Sequence, residues 1–352
     1  MNRKGRFPIL PRPVPWRLAV QLLTLAVVIG MGWQFADWVA RLQAGQPGGV
    51  RPPGVEGFLP ISALISLRSW LLTGVFPRVH PAGLVLLLLI VATALLLKKA
   101  FCGWLCPVGV LAEWTARVGS RLFGRRLRPP RWLDVGLRGV KYLLLFFFLY
   151  AVFVQMSPHE IQRFLHSPYN KVADILMLRF FLQPSTTTVV VLGLLVLLSV
   201  VVPWFWCRYL CPYGALLGLV SVLSPLKVRR DPDICTACGR CSQVCPSFLP
   251  VDRVRTVHAP ECIGCLECVV ACPAPGALEM TLPGRVRRRG IGPRLFAVLV
   301  VLLFFGGIGA AKLGGVWRND IPRAEYQRRV GELDKPVYYH NRGQVPDYGP
   351  DD

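Results

Sequence analysis

Twelve cysteines stand in this 352-residue chain, and every one of them falls in a short run of fixed spacing. Cys235-x2-Cys238-x2-Cys241-x3-Cys245-Pro246 is followed by Cys262-x2-Cys265-x2-Cys268-x3-Cys272-Pro273. Thiolates at that spacing suit a cubane iron–sulfur cluster. Three close cysteines wrap one face of it, and the fourth ligand comes from the far side. In two-cluster chains the last cysteine of each run serves the other cluster. Cys235, Cys238, Cys241 and Cys272 are therefore expected to hold one [4Fe–4S] centre, and Cys262, Cys265, Cys268 and Cys245 a second. Pro246 and Pro273 fix the backbone angle just after a ligand, and Gly239 and Gly264 let the loops pass close to a cluster.

The other four cysteines form an internal repeat. Phe101-Cys-Gly-Trp-Leu-Cys-Pro-Val-Gly-Val-Leu111 aligns with Trp206-Cys-Arg-Tyr-Leu-Cys-Pro-Tyr-Gly-Ala-Leu216, identical at six of eleven positions and aromatic in both copies at two more. Cysteines at i and i+4 share a face of a helix. Two such pairs facing each other would supply four thiolates, so Cys102, Cys106, Cys207 and Cys211 are candidates for a third iron–sulfur centre. The alternative is four packing thiols or a redox-active pair without metal. Zinc is the competing use of CxxC pairs, but its sites use two pairs, often with histidine, and not CxxCxxC followed by CxxxCP twice over.

The elements that position these cysteines are apolar. Hydrophobic residues make up 53% of the chain and charged residues 17%, too apolar for an ordinary soluble domain. Stretches 17–38, 82–98, 140–156, 187–206 and 294–315 approach the ~20 residues that cross a bilayer core. Stretch 58–76, broken by Pro60, Arg68 and Gly74, reads as an interfacial or re-entrant helix. The first apolar run exceeds a signal h-region and no small-x-small site follows, so an uncleaved first span is expected.

With five spans and an internal N-terminus, segments 1–17, 98–141 and 207–294 are cytoplasmic. They hold 5, 10 and 12 Lys+Arg, 27 of the 41, including the loop Arg121–Arg131 and the run Arg285–Arg289. That asymmetry follows the positive-inside rule and explains the net charge of +22 without nucleic acid, which is not expected as a partner. All twelve cysteines then face the cytoplasm, where thiols stay reduced and a disulfide framework is disfavoured. The two repeat copies each end a span running inward, so they are parallel repeats.

The expected fold is an α-helical polytopic membrane protein of about five transmembrane helices carrying a cytoplasmic α+β module of bacterial-ferredoxin type. Its divisions are a membrane domain over 1–228, the two-cluster module over 229–283, a fifth span within 284–316 and an external polar tail over 317–352. The tail is too short for a domain and either docks a partner or lies on the surface. Haem is disfavoured: there is no CxxCH, and His80, His159, His166, His258 and His340 all lie outside the spans. Neither GxGxxG after a strand nor a Walker loop appears. His80, His159, Glu160 and His166 fall near the external boundary and are candidate proton acceptors for a quinol, against the alternative of ordinary interfacial polar residues. Trp16, Trp33, Trp38, Trp70 and Trp317 fit interfacial anchors. Trp104 and Tyr209, inside the repeats, either shield a cluster from water or anchor helix ends.

Two CxxxCP motifs at span ends followed by an eight-cysteine module resemble the membrane polyferredoxins of the NapH and NosR type, over roughly 80–275. The resemblance implies a protein of the inner membrane, linked to menaquinol or ubiquinol as the quinol dehydrogenase component of an electron-transfer complex. It implies electron transfer between the quinol pool, or a cytoplasmic ferredoxin or flavoprotein, and a periplasmic oxidoreductase or c-type cytochrome. An accessory role, supplying electrons that reduce a metal or activate a partner metalloenzyme, is the second function such a chain could serve. No external segment here could house the flavin domain of the NosR type, and a fifth span is added to the four usual in the NapH type.

Overall fold

The computed structural model describes residues 13–283, 290–335 and 338. The basic run Arg285–Arg289, Tyr339, His340 and the N-terminal bases before residue 13 lie outside the described residues. Fourteen α-helices are found among the described residues, with two short strands. Eight of these helices open on proline. The chain has 31 prolines yet remains helical, because proline at the first helical position gives up only an N–H that has no partner there anyway.

In chain order the helices are α1 (Pro15–Gln43), α2 (Pro60–Thr73), α3 (Pro81–Leu96), α4 (Pro107–Leu122), α5 (Arg131–Tyr150), α6 (Pro158–His166), α7 (Pro168–Lys171), α8 (Ala173–Leu182), α9 (Thr186–Val201) and α10 (Pro212–Val222). Strand β1 (Lys227–Arg230), α11 (Arg240–Val244), α12 (Glu267–Val270) and β2 (Leu278–Thr281) follow, then α13 (Pro293–Leu313) and α14 (Arg323–Val330). Among the described residues, three helices are long and apolar enough to cross a membrane: Pro15–Gln43, Arg131–Gln155 and Pro293–Leu313. The pair α8 and α9 meets the same test together but is bent by 77°.

The two stretches ahead of the cysteine repeat are shorter than expected. Helices α3 and α9 have 16 residues each, about 24 Å at 1.5 Å per residue. The reason is local. Lys98 takes a left-handed φ of 60° just after α3, and Trp204 one of 57° just after α9, next to Pro203. Each helix is therefore stopped a few residues before its first cysteine. Stretch 58–76 contains α2, which ends on Gly74 at φ 69°, where the absence of a Cβ removes the steric cost.

The chain divides into two compact units whose boundaries fall inside α1, α3, α5, α9 and α13. The first unit comprises Met1–Ala26, Ile90–Phe146 and Val190–Phe305 and contains all twelve cysteines. In it β1 and β2 pair antiparallel, Val228 opposite Met280 and Arg230 opposite Leu278. Val228 and Met280 both point into the core. The Val257 N–H adds a further bond to the Val228 carbonyl at 2.9 Å. The pairing ties the chain just before the first ferredoxin-type cysteine run to the chain just after the second, so both runs are held in one closed loop.

The second unit comprises Val27–Leu89, Phe147–Val189 and Gly306–Asp352. Its core joins Phe35, Trp38 and Leu42 of α1 to Val172, Ile175, Tyr326 and Val330. Tyr326 of α14 meets Trp38 edge-on with ring centroids 5.1 Å apart, so the part of the polar tail that is described packs on α1. Helix α6 begins with a reciprocal capping box between Ser157 and Glu160.

Candidate iron–sulfur centres

The two repeat copies fold alike. Phe101–Leu105 and Trp206–Leu210 each form one π-helical turn. The turns are closed by Cys106 N–H to Phe101 O at 2.9 Å and by Cys211 N–H to Trp206 O at 3.0 Å. The two cysteines of a pair do not share a helix face as the i, i+4 spacing suggested. Cys106 (φ −70°, ψ 121°) and Cys211 (φ −74°, ψ 107°) are extended and cap α4 and α10. The cause is the following proline, whose Cδ disfavours the α conformation of the residue before it. As a cap, the Cys211 sulfur accepts the Gly214 N–H at 3.2 Å, and Cys106 receives the Gly109 N–H in the same way. A Cβ on Gly109 would collide with the Cys102 carbonyl, and one on Gly214 would sit 3.3 Å from that of Cys207. The glycine two residues after the proline thus lets each new helix start against the first cysteine.

The structure brings these four thiols together: Cys102 feels the charge of Cys106 and Cys211, and Cys207 that of Cys211, Cys106 and Cys102. Burial pushes Cys102 up to about 12 and Cys106 up to about 11, and raises Cys207 well above the usual thiol range. Four half-buried thiols this close cannot all ionise alone. A bound metal cation supplies the missing positive charge, because ligand thiols deprotonate on binding. The donor set therefore fits an iron–sulfur centre.

The ferredoxin-type runs share one backbone design. Ala237 (φ 52°) corresponds to Gly264 (φ 61°), and Gly239 (φ 73°) to Leu266 (φ 61°). Left-handed residues after the first and second cysteine turn successive N–H groups to one side, a nest for anionic sulfur. Cys235 accepts the Ala237 N–H and Cys262 the Gly264 N–H. Ala237 and Leu266 hold this conformation without glycine's freedom, at roughly 1–2 kcal/mol each.

A cavity is lined by Cys245, Cys262, Cys265 and Cys268, with walls from Pro246, Leu249, Val251, Val257, Ile263 and Leu266. Cys268 feels Cys265, Cys245 and Cys262, so the last cysteine of the first run joins the first three of the second. Burial pushes Cys245 up to about 11 and raises Cys265 and Cys268 well above the usual thiol range. The other run is open: Cys238 is exposed, and Cys235 is held below the usual range by the Ala237 N–H and then by Arg230. Cys241 lies within reach of the charge of Cys238. Cys272 is half-buried, with its thiol 3.5 Å from Ala274 O. Among the described residues no three His, Cys, Asp or Glu converge on a single ion. The donors of the Cys245 set surround a space instead.

Several charged residues that frame these cysteines went unnoticed in the sequence. Arg17 of α1, almost fully buried, donates from Nε to Gly103 O at 2.9 Å and from Nη1 to Glu267 at 3.0 Å, and pairs with Glu113. Asp134 is fully buried and receives Arg208 at 2.8 and 2.9 Å and the Tyr209 hydroxyl at 2.7 Å. Arg126 donates to Cys245 O at 2.9 Å. Charged residues at the edge of apolar runs were the available signal, because burial there demands a partner. Trp104 and Tyr209 are both buried and hydrogen-bonded.

The external candidates separate. His159, Glu160 and His166 are exposed, and Glu160 serves as a cap. His80 is buried in the second unit, with Nε2 2.5 Å from Asn170 O and Nδ1 3.5 Å from Glu56. Glu56, also missed, is bound by Arg51 at 2.9 Å and by the Gly83 N–H at 3.0 Å. Burial works against both charged forms. The Arg51 guanidinium nevertheless lowers Glu56, and the Glu56 carboxylate raises His80.

The pattern matches known proteins. A family described as "4Fe-4S binding domain" matches residues 79–126 and again 185–231, once on each repeat copy. A "4Fe-4S dicluster domain" matches 227–273. The chain is 43% identical over 320 residues to "Putative electron transport protein YccM" of Escherichia coli (strain K12), covering 90% of this chain and 89% of that protein. It is 30% identical to "Methylamine utilization ferredoxin-type protein MauN" of Methylorubrum extorquens, over 65% of this chain and 73% of the relative. It is 26% identical to "Ferredoxin-type protein NapH" of Haemophilus influenzae, over 73% and 85%. No solved structure matches it. A doubled 4Fe–4S repeat beside a dicluster domain, on a scaffold of membrane-length helices and alongside these relatives, places the chain in the NapH/NosR-type family of membrane-bound, ferredoxin-type iron–sulfur electron-transport proteins.

Proposed function

We propose that the chain relays electrons between the quinol pool and a periplasmic redox enzyme, using three iron–sulfur centres. Cys235, Cys238, Cys241 and Cys272 hold the first centre in this reading. Cys262, Cys265, Cys268 and Cys245 hold the second, and Cys102, Cys106, Cys207 and Cys211 the third. When bound, such clusters supply one-electron redox chemistry, which lets a two-electron quinol be drained one electron at a time. The protein's own part is to bury the donors and exclude water. It also aims N–H groups at sulfur and sets fixed charges nearby, the factors that tune a cluster.

The observation that carries this reading is the convergence of the four repeat thiols, half-buried and within electrostatic reach of one another, in a chain whose dicluster domain packs directly on the first repeat through Trp104 and Gly264. The charge asymmetry supports five spans in the inner membrane, with the N-terminus and all cysteines cytoplasmic and the tail beyond residue 317 external. The membrane domain then covers 1–228, the two-cluster module 229–283 and the last span 284–316. Menaquinol or ubiquinol is the substrate, and the acceptor is a periplasmic oxidoreductase or c-type cytochrome.

Iron and acid-labile sulfide counted on protein purified without oxygen test the centre number. Three cubanes give about twelve irons per chain. Wild type near eight, with the Cys211→Ala variant unchanged, would remove the third centre from the reading.

A further inference from the structure

We infer that the two ferredoxin-type cysteine sets occupy different stations. The set Cys245, Cys262, Cys265 and Cys268 is the one in electron contact with the repeat set, and the set beginning at Cys235 is the terminus open to the aqueous phase. The inference rests on the reading above, that both kinds of set hold iron–sulfur centres.

Each repeat copy grips a different segment of the same ferredoxin-type site. In the first copy, Trp104 stands between Cys102 and Cys106 and is fully buried. Its Nε1–H donates to Gly264 O at 3.0 Å, and Gly264 adjoins Cys265. The approach is close enough that a Cβ on Gly103 would come 2.7 Å from Ile263 O. In the second copy, Arg208 stands between Cys207 and Cys211. Its Nη1 donates to Ser247 O at 3.1 Å, two residues beyond Cys245, and its guanidinium lies 5.4 Å from the Phe248 ring centroid. Asp134 fixes that guanidinium through two bonds. One copy therefore holds the Cys262–Cys268 loop and the other the Cys245 loop, and these two loops line one cavity.

The route from the repeat to Cys265 consists of covalent bonds and a single hydrogen bond, with an indole between them. Tunnelling falls steeply with through-space gaps, so such a route outcompetes longer ones. One electron passes as one set is oxidised and the other reduced, with no bond made or broken and no proton required. Burial differs in the same sense. Cys245, Cys265 and Cys268 are buried, while Pro232, Asp233, Ile234, Thr236, Ala237 and Cys238 are exposed. Arg17, bonded to both Gly103 O and Glu267, is a positioning residue of the same junction.

Pulsed electron paramagnetic resonance on the dithionite-reduced full chain in detergent tests the order. The expected wild-type result is a repeat-centre signal broadened by a neighbouring spin. In Cys238→Ala that broadening persists, and in Cys265→Ala it is lost. Loss in Cys238→Ala with retention in Cys265→Ala overturns the order. Trp104→Phe guards against a folding artefact, because it keeps an aromatic filler and removes the indole N–H. It is expected to retain full iron while losing rate in freeze-quenched equilibration between the two sets, and an unchanged rate overturns the role given to Trp104. A wild-type iron content of about eight per chain would instead overturn the three-centre reading, and the order with it.

Discussion

Arg17 is held by two carboxylates and a carbonyl, almost entirely out of water. A buried pair of this kind adds little net stability, yet removing one partner leaves a bare charge. Arg17→Met is therefore expected to destabilise the first unit by about 3–5 kcal/mol, read by denaturant unfolding in detergent. Adding Glu113→Gln and Glu267→Gln should recover part of that loss. His80 and Glu56 set a pH window in the second unit. His80 is raised in the folded state, so its contribution is complete below about pH 6.5 and fades as pH rises through the higher folded value. Glu56 is lowered, so its contribution is present above about pH 4.3 and fades as pH falls through the lower folded value. Thermal unfolding of wild type is expected to lose stability at both ends, and His80→Gln to lose the alkaline slope alone. An unchanged alkaline slope in His80→Gln would remove the pair from this role.

At the scale of elements, the CxxxCPxG unit is a π turn, an extended cysteine and a new helix whose first turn lies against the first cysteine. The two copies differ in tightness. A Cβ at position 109 meets backbone that cannot move aside, while at position 214 a neighbour must give by only a few tenths of an ångström. Gly109→Ala is thus expected to lose repeat-centre iron and melt earlier, with Gly214→Ala close to wild type. Equal losses would show that the glycines act through something other than this contact. The repeat itself was legible in the residues, because six of eleven positions recur. Its geometry was not. The i, i+4 spacing implied one helix, whereas Pro107 and Pro212 force the second cysteine extended. The early ends of α3 and α9 were also hidden, because left-handed Lys98 and Trp204 carry no glycine to announce them.

For the whole molecule, the cysteine sets were readable because their spacing is local, and the apolar stretches because hydropathy is local too. The ties between them join residues far apart in the chain. Arg17 reaches Glu267 across 250 positions, Trp104 reaches Gly264 across 160 and Arg208 reaches Asp134 across 74, and no periodicity marks any of these. His80 likewise differs from the exposed histidines only through partners distant in sequence, Glu56 and Asn170, which enclose it. The proposed relay requires that a quinol drain into these iron–sulfur centres. Anaerobic titration of the purified full chain with menaquinol, followed by electron paramagnetic resonance, tests this requirement. Cluster signals are expected to grow in with added menaquinol to the level dithionite produces. Signals that appear with dithionite but not with menaquinol would contradict the claim and point to a cytoplasmic ferredoxin or flavoprotein as the donor.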